Sequence, residues 1–241
     1  MKQIVPVFKR EFLGYFRSPV AYVYLVAFLV ISVALAFSRY GQFFKAGSAS
    51  MENYFQFFPW LLLFLVPAVG MRLWSEEKRA GTVELLFTLP ITTLEAVAGK
   101  YFAGWAFLTV AVLLSFPMVL TIAFLGNPDW GVVASTYLGA ILMAGSYLGV
   151  CSLMSALTKN QVISFVLGLV ACAVLVFLGL SSFMDSLEAV LPVSVADAVA
   201  NFSFVPHFEP FVKGIIDPKD VLFFLSLTGF TLFLNAVALE R

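Results

Sequence analysis

Few side chains in this sequence could do chemistry, and their neighbours narrow what that chemistry could be. Glu76 and Glu77 are adjacent carboxylates, and paired acids can serve general acid–base catalysis, here of the kind an intramembrane glutamate protease would use. Lys78 and Arg79 follow at once, so the four together have the composition of a solvated helix face. The sole histidine, His207, stands near Glu209 and reads as a structural or interfacial residue rather than a base for a nucleophile. Cys151 and Cys172 lie inside apolar runs and read as packing residues, with no disulfide framework or metal-ligand spacing. Gly99-Lys100 is the only Gly-Lys pair, followed by Tyr101 and lacking the earlier glycine with which a P-loop cradles phosphate. A catalytic role is not expected, nor is a metal or cofactor site in this chain.

The elements that must carry these residues are membrane helices. Of 241 residues, 61% are hydrophobic and only 12% charged, about half the charged share of a soluble domain. The apolar residues fall in long uncharged runs, and about 20 residues of helix cross a hydrocarbon core of about 30 Å. The reading is an all-α polytopic membrane protein, one domain over 1–241, with six spans at about 20–38, 54–73, 96–125, 130–157, 162–180 and 220–239. Residues 1–17 place Ile4, Val5, Phe8, Phe12, Tyr15 and Phe16 at helical spacing beside Lys2, Lys9, Arg10 and Arg17. That pattern predicts an amphipathic interface helix. Ser18-Pro19 reads as an N-cap and first helical residue. Ala34-Leu35-Ala36 resembles a signal-peptidase site, but the long polar lead and the later spans favour a retained first span.

Tyr54, Phe55, Phe57, Phe58 and Trp60 read as an aromatic belt at the start of the second span, which Pro59 and Pro67 should kink. Thr92-x-x-Glu95 is a capping-box pattern for the third helix, with a kink expected at Pro117. Gly126-Asn127-Pro128-Asp129 is a turn. The outer segment, 181–219, holds Ser182-x-x-Asp185 and Ser194-x-x-Asp197, each before a short periodic stretch, so two short interfacial helices are expected there. Their apolar positions are Phe183, Leu187, Val190 and Leu191, then Val195, Val199 and Phe202. Ser135, Gly139, Gly145 and Gly149 give the fourth span a small face for close helix approach, without identifying the helix it meets.

With an N-in topology ten Lys and Arg residues lie inside and four (Arg39, Lys45, Lys213 and Lys219) outside, which fits the positive-inside rule and puts both termini in the cytoplasm. None of the predicted spans carries an ionisable side chain in its core, so ion-coupled transport is disfavoured and the energy for any transport would come from another subunit. The net charge of zero names no acidic or basic partner, and no nucleic acid is expected.

Residues 74–91 are the most polar stretch and read as helix, break, helix. The second span should extend through Glu76–Arg79 and stop near Gly81, where a turn suits glycine. Thr82 would cap a short helix, Glu84 would complement its dipole, and Pro90 would end it. Val83, Leu85, Leu86 and Phe87 give that helix an apolar surface. By physical chemistry alone it is either a docking surface or a helix lying on the membrane.

The string Arg72-Leu-Trp-Ser-Glu-Glu-Lys-Arg-Ala-Gly-Thr-Val-Glu-Leu-Leu-Phe-Thr-Leu-Pro90 resembles the ATPase-contacting loop of ABC-2 type permeases. Three further segments, 12–22, 155–162 and 207–220, are similar to the gliding-motility (GldF-like) permease subunit, so the likeness runs nearly end to end. The resemblance implies a dimeric permease core in the bacterial inner membrane, driven by a separate cytoplasmic ABC ATPase that holds the ATP and Mg. Glu76, Glu77, Arg79, Gly81, Thr82 and Glu84 would then form the ATPase-coupling element, with Leu85 and Leu86 as its apolar contacts. Lys159, Asn160 and Gln161 would form a smaller second contact. Implied companions are a second permease copy or related subunit and a membrane protein with a large periplasmic part. A membrane scaffold or mechanical transmitter that moves no substrate is the alternative.

Overall fold

The computed structural model describes residues 4–38, 52–83, 91–126, 128–180, 183–184 and 192–240, which are mostly helical with no strand among them. Among the described residues twelve helices follow in chain order: α1 (Ile4–Arg17), α2 (Pro19–Phe37), α3 (Glu52–Phe55), α4 (Phe58–Gly70), α5 (Arg72–Ala80), α6 (Thr93–Leu113), α7 (Phe116–Leu125), α8 (Trp130–Ala156), α9 (Gln161–Phe177), α10 (Val193–Ala200), α11 (Phe204–Val212) and α12 (Pro218–Leu239).

Most of the long helices begin where a side chain can take up the free N–H groups of a first turn. The expected capping box is present at α6, with Glu95 N donating to Thr92 Oγ1 at 3.2 Å and Thr92 N donating to Glu95 Oε2 at 3.3 Å. Asp129 caps α8 through Gly131 N at 2.7 Å, and Asp217, ahead of Pro218, caps α12 through Lys219 N at 2.9 Å. Ser18 occupies the N-cap position of α2 in extended conformation, yet its hydroxyl makes no capping bond; Pro19 sets that start. The kink expected at Pro117 is a full break, since α6 ends at Leu113 and α7 restarts at Phe116 with Pro117 in its first turn.

Among the described residues five stretches are long and apolar enough to cross a membrane: Pro19–Phe37, Phe58–Ala80, Thr93–Phe124, Trp130–Ala156 and Pro218–Leu239. The chain is built as a multi-pass membrane protein. The expected span at 162–180 is the shorter apolar helix α9, of 17 residues.

Three expectations change. The second span does not start at residue 54: α3 is a separate turn, and the span runs from Phe58 to Ala80 with a break at Met71. Its aromatic residues form a core rather than a belt. Tyr54, Phe55 and Phe58 are fully buried, in edge-on contact with one another, with Phe28 and with Tyr137. Edge-to-face packing satisfies aromatic rings better here than a lipid boundary would. In the outer segment, α10 is the second expected short helix, whereas the first lies almost wholly outside the described residues. A further helix, α11, was not expected; Ser203 caps it by accepting from Val205 N at 3.3 Å.

Helix α8 is the hub, packed against α4, α5, α6, α9, α11 and α12. Its small face meets different helices along its length. A Cβ on Gly139 would lie 2.6 Å from the Phe211 ring of α11, one on Gly145 2.8 Å from Tyr101 Oη of α6, and one on Gly149 2.4 Å from Thr231 Oγ1 of α12. Hydroxyls on the same face bond across these contacts. Ser135 and Thr136 donate to Phe211 O at 2.8 and 3.0 Å, Ser146 donates to Phe224 O at 2.9 Å, and Ser152 accepts from Asn235 Nδ2 at 2.6 Å. Small residues let the backbones approach, and the hydroxyls use that approach to bond.

Candidate functional site

The polar stretch after Met71 begins inside the bundle. Pro67 lies within α4 and Met71 interrupts the helix, so the first turn of α5 needs partners from elsewhere. Ser155 of α8 supplies them: its Oγ accepts from Trp74 N at 3.1 Å and Ser75 N at 3.0 Å, and donates to Met71 O at 2.9 Å. One buried hydroxyl therefore caps α5 in trans and ties it to α8. Replacing it would leave two buried N–H groups unsatisfied, so Ser155→Ala is expected to cost about 2 kcal/mol. Thermal unfolding of the purified variant would check this; a stability equal to the parent would show that the clamp is not needed.

A turn later, Lys78 Nζ donates to Ala156 O at the C-terminal end of α8, where the helix dipole favours a cation. Helix α5 then ends as expected at Gly81, whose φ of 69° is the left-handed conformation of a C-terminal cap. Gly81 N and Thr82 N both bond to Glu77 O.

The other side of α5 carries a buried ion cluster. Lys100, about two turns into α6, has a side chain only 3% exposed, with Nζ 2.8 Å from Glu77 Oε1 and 3.5 Å from Glu11 Oε1. Its ammonium lies 5.1 Å from the centre of the Trp74 ring, close enough for a cation–π contact. Arg10 reaches Glu11 at 2.6 Å and Glu77 at 3.8 Å, so two cations face two carboxylates. Burial pushes the Glu11 carboxyl up, but Lys100 and Arg10 outweigh it and hold the group below its ordinary value. The cluster joins α1, α5 and α6.

Packing reinforces it. Helix α1 lies against α6 so closely that a Cβ on Gly99 would stand 2.7 Å from Val7 Cγ1, and Tyr15 stacks on Phe107 at 4.9 Å. Beside this contact is a small cavity of about 140 Å³, lined by Glu11, Tyr15, Arg72 and Glu76 among others.

The expected coupling residues therefore fall into distinct settings. Glu76, Arg79, Gly81 and Thr82 are exposed at the end of α5. Glu77 is not part of a solvated face, because Lys100 draws it inward. Glu84, Leu85 and Leu86 lie outside the described residues. Lys159 and Asn160 are exposed in the short link from α8 to α9, and Gln161 is partly buried at the start of α9. The link follows directly on Ala156, whose carbonyl Lys78 of α5 bonds, and Asn160 caps α9, accepting from Val162 N at 2.9 Å. Lys100 and Glu11 were not among the expected residues. Their signals were a lysine inside an apolar helix and a glutamate in register with Val7 and Tyr15.

Residues 33–239 match the sequence family described as ABC-2 family transporter protein. No curated protein is significantly similar to the chain.

Proposed function

Because this chain belongs to the ABC-2 family of transporter proteins, we propose that it is the membrane-spanning permease subunit of an ATP-binding-cassette transporter, worked by a separate ATPase at the end of α5. The family implies a cytoplasmic ABC ATPase as partner, and ATP and Mg would be held there. The observation that supports this docking point is the clamping of α5 from three sides, by Ser155, by the Ala156 carbonyl and by Lys100. A force applied at the end of α5 would reach α4, α6 and α8 through these clamps. The link at Lys159–Gln161, beside Lys78, would be the second contact.

Six spans fit this reading. Helix α9, with 17 residues, is about 26 Å long, near the thickness of a hydrocarbon core. Both termini and the α5 end would face the cytoplasm of a bacterial inner membrane, with α1 in the inner interface. Helices α2 and α9 expose Val23, Val26 and Val30, and Val166, Val170 and Val174. Between them and α4 lies an apolar groove of about 520 Å³. These faces would seat a second copy or a related permease subunit. The segments similar to GldF-like permeases favour a companion with a large periplasmic part.

Mild-detergent purification from the native membrane tests the reading. A P-loop ATPase is expected to come with the chain and to fall at least about tenfold in a Glu84→Arg, Leu86→Asp variant of equal membrane abundance. Undiminished recovery of the ATPase with that variant, or none with the parent in several detergents, would overturn it.

A further inference from the structure

Two cavities on one side of the bundle join into a slot with a charged end and an apolar end. The charged end is the cavity of about 140 Å³ beside α1, with room for roughly ten water-sized groups. The apolar end is the groove of about 520 Å³ between α2, α4 and α9. Tyr24 of α2 and Ala68 of α4 line both, so the two are continuous. On α2 the lining passes from Ser18 through Tyr24 to Ile31, and on the antiparallel stretch from Arg72 through Ala68 to Leu61. From Arg72 to Leu61 is about 16 Å of helix, the depth of one leaflet of a hydrocarbon core of about 30 Å.

The charges at the polar end decide what it would take. Glu11, Arg72 and Glu76 line it, and Glu11 is already answered by Lys100 and Arg10. Arg72 and Glu76 face each other at 4.0 Å, too far for a hydrogen bond, and the buried Arg72 Nε donates to no group among the described residues. The Ser18 hydroxyl makes no capping bond. Burial pushes the Tyr15 phenol up, so it too stays a donor. Arg72 and the two hydroxyls therefore suit an oxyanion, whereas Glu76 beside them suits a cation with N–H groups. An anionic head without an amine would set its phosphate next to an unanswered Glu76, and a quaternary ammonium has no N–H to give the carboxylate. A phosphate joined to a primary amine satisfies both residues at zero net charge.

We propose that this slot holds one phospholipid of the zwitterionic, primary-amine class, with its phosphate on Arg72 and Ser18, its ammonium on Glu76 and an acyl chain in the groove. A head seated there touches α1, the start of α2 and α5 together. The exposed valines of α2 and α9 that would seat a second copy do not line the groove, so lipid and second copy use different side chains. The site rests on the membrane placement of α2 and α4 and stands whether or not an ATPase docks at α5.

Photoactivatable lipids test this in phosphatidylcholine vesicles that hold the full chain. Phosphatidylethanolamine, phosphatidylcholine and phosphatidylglycerol probes, each at trace level with the same diazirine-bearing acyl chain, are compared by mapping the labelled residues. The phosphatidylethanolamine probe is expected to label 24–31 and 61–68 about tenfold more than either of the others. All three should label the exposed face of α12, at Leu225 and Phe230, alike. Arg72→Gln and Glu76→Gln should each lower groove labelling about tenfold, and Ala27→Phe, which fills the groove, should do the same; α12 labelling should not change. Excess glycerophosphoethanolamine, the head without its chains, should not displace the probe. Equal groove labelling by the three probes would mean bulk lipid only and would overturn the proposal, as would labelling untouched by Arg72→Gln or removed by the soluble head. A groove that no probe labels, beside a labelled α12, would assign it to a second copy and overturn the proposal as well. The comparison of probes uses the parent chain, so it decides the matter even where a variant misfolds.

Discussion

Lys100→Met is expected to be the most damaging single substitution at the α5 end, lowering stability by about 3–5 kcal/mol. Methionine nearly matches the length of the lysine stem, so little packing is lost; what changes is the charge. Glu77 would keep a partly buried carboxylate whose 2.8 Å partner is gone, and Glu11 would keep only Arg10. Removing one member of a buried pair costs more than the pair contributes, because the remaining Glu77 carboxylate is largely shut off from water and keeps only the more distant Arg10, at 3.8 Å, as counter-charge. Adding Glu77→Gln should therefore recover much of the loss, leaving a neutral pair and Arg10 opposite Glu11. Thermal unfolding of the purified single and double variants checks both statements, and a double variant no better than Lys100→Met would show that the stem's packing matters instead. A pH dependence follows with a definite sign. The folded state holds the Glu11 carboxyl below its ordinary value, so its contribution is present above the unfolded value and is lost as pH falls through the folded one. Acid should loosen α1 from α5 and α6 in the parent, and less so in Lys100→Met, which lacks the cation that depresses Glu11.

The caps and breaks were legible in the sequence because their causes are local. Thr92 and Glu95 stand three residues apart and can reach one another without help from the rest of the fold, and Gly81 ends α5 because a left-handed residue costs glycine nothing. The small face of α8 was legible as a face but not in its partners. Gly139, Gly145 and Gly149 look alike in sequence, yet they meet α11, α6 and α12 in turn, a choice set by helices tens of residues away. The aromatic residues at 54–60 were misread for a related reason. An interfacial belt and a buried edge-to-face cluster share one composition, and only Phe28 and Tyr137, from other helices, decide between them.

The ion cluster shows the same limit more sharply. Lys100 counts as one more basic residue near a membrane boundary until α1 folds back on α6, bringing Glu11 to it while α5 brings Glu77. Spacing within one helix could not reveal that convergence. Helix α11 stayed hidden because Pro206 and Pro210 lie within it, although Pro206 falls in the first turn, where its missing N–H is not needed.

Gly70→Val is expected to separate α4 from α8, with a loss of about 3 kcal/mol or more. A Cβ at Gly70 would stand 2.5 Å from Cys151 Cβ and 3.6 Å from Cys151 Cα and C. The obstructing atom is fixed to the α8 backbone and cannot swing aside as the end of a long side chain would, so the helices must move apart. On the far side, Cys151 Sγ already faces Cys172 Sγ at 3.7 Å, and a Cβ on Gly168 would be 3.2 Å from it, which leaves α8 little room to retreat. Ser155 lies one turn further along α8, so the separation should also weaken its bonds to Met71 O, Trp74 N and Ser75 N. A double-mutant cycle isolates the cause. Gly70→Ala should cost much less in a Cys151→Gly background, where the opposing Cβ is gone, but as much as before in Cys151→Ala, which keeps it. Unfolding midpoints of the six purified chains, Gly70 and its alanine variant in each of the three backgrounds, would show this. Equal costs in the glycine and alanine backgrounds would mean that the α4–α8 approach is looser than the structure shows, and that α5 is held to the bundle by its polar clamps alone.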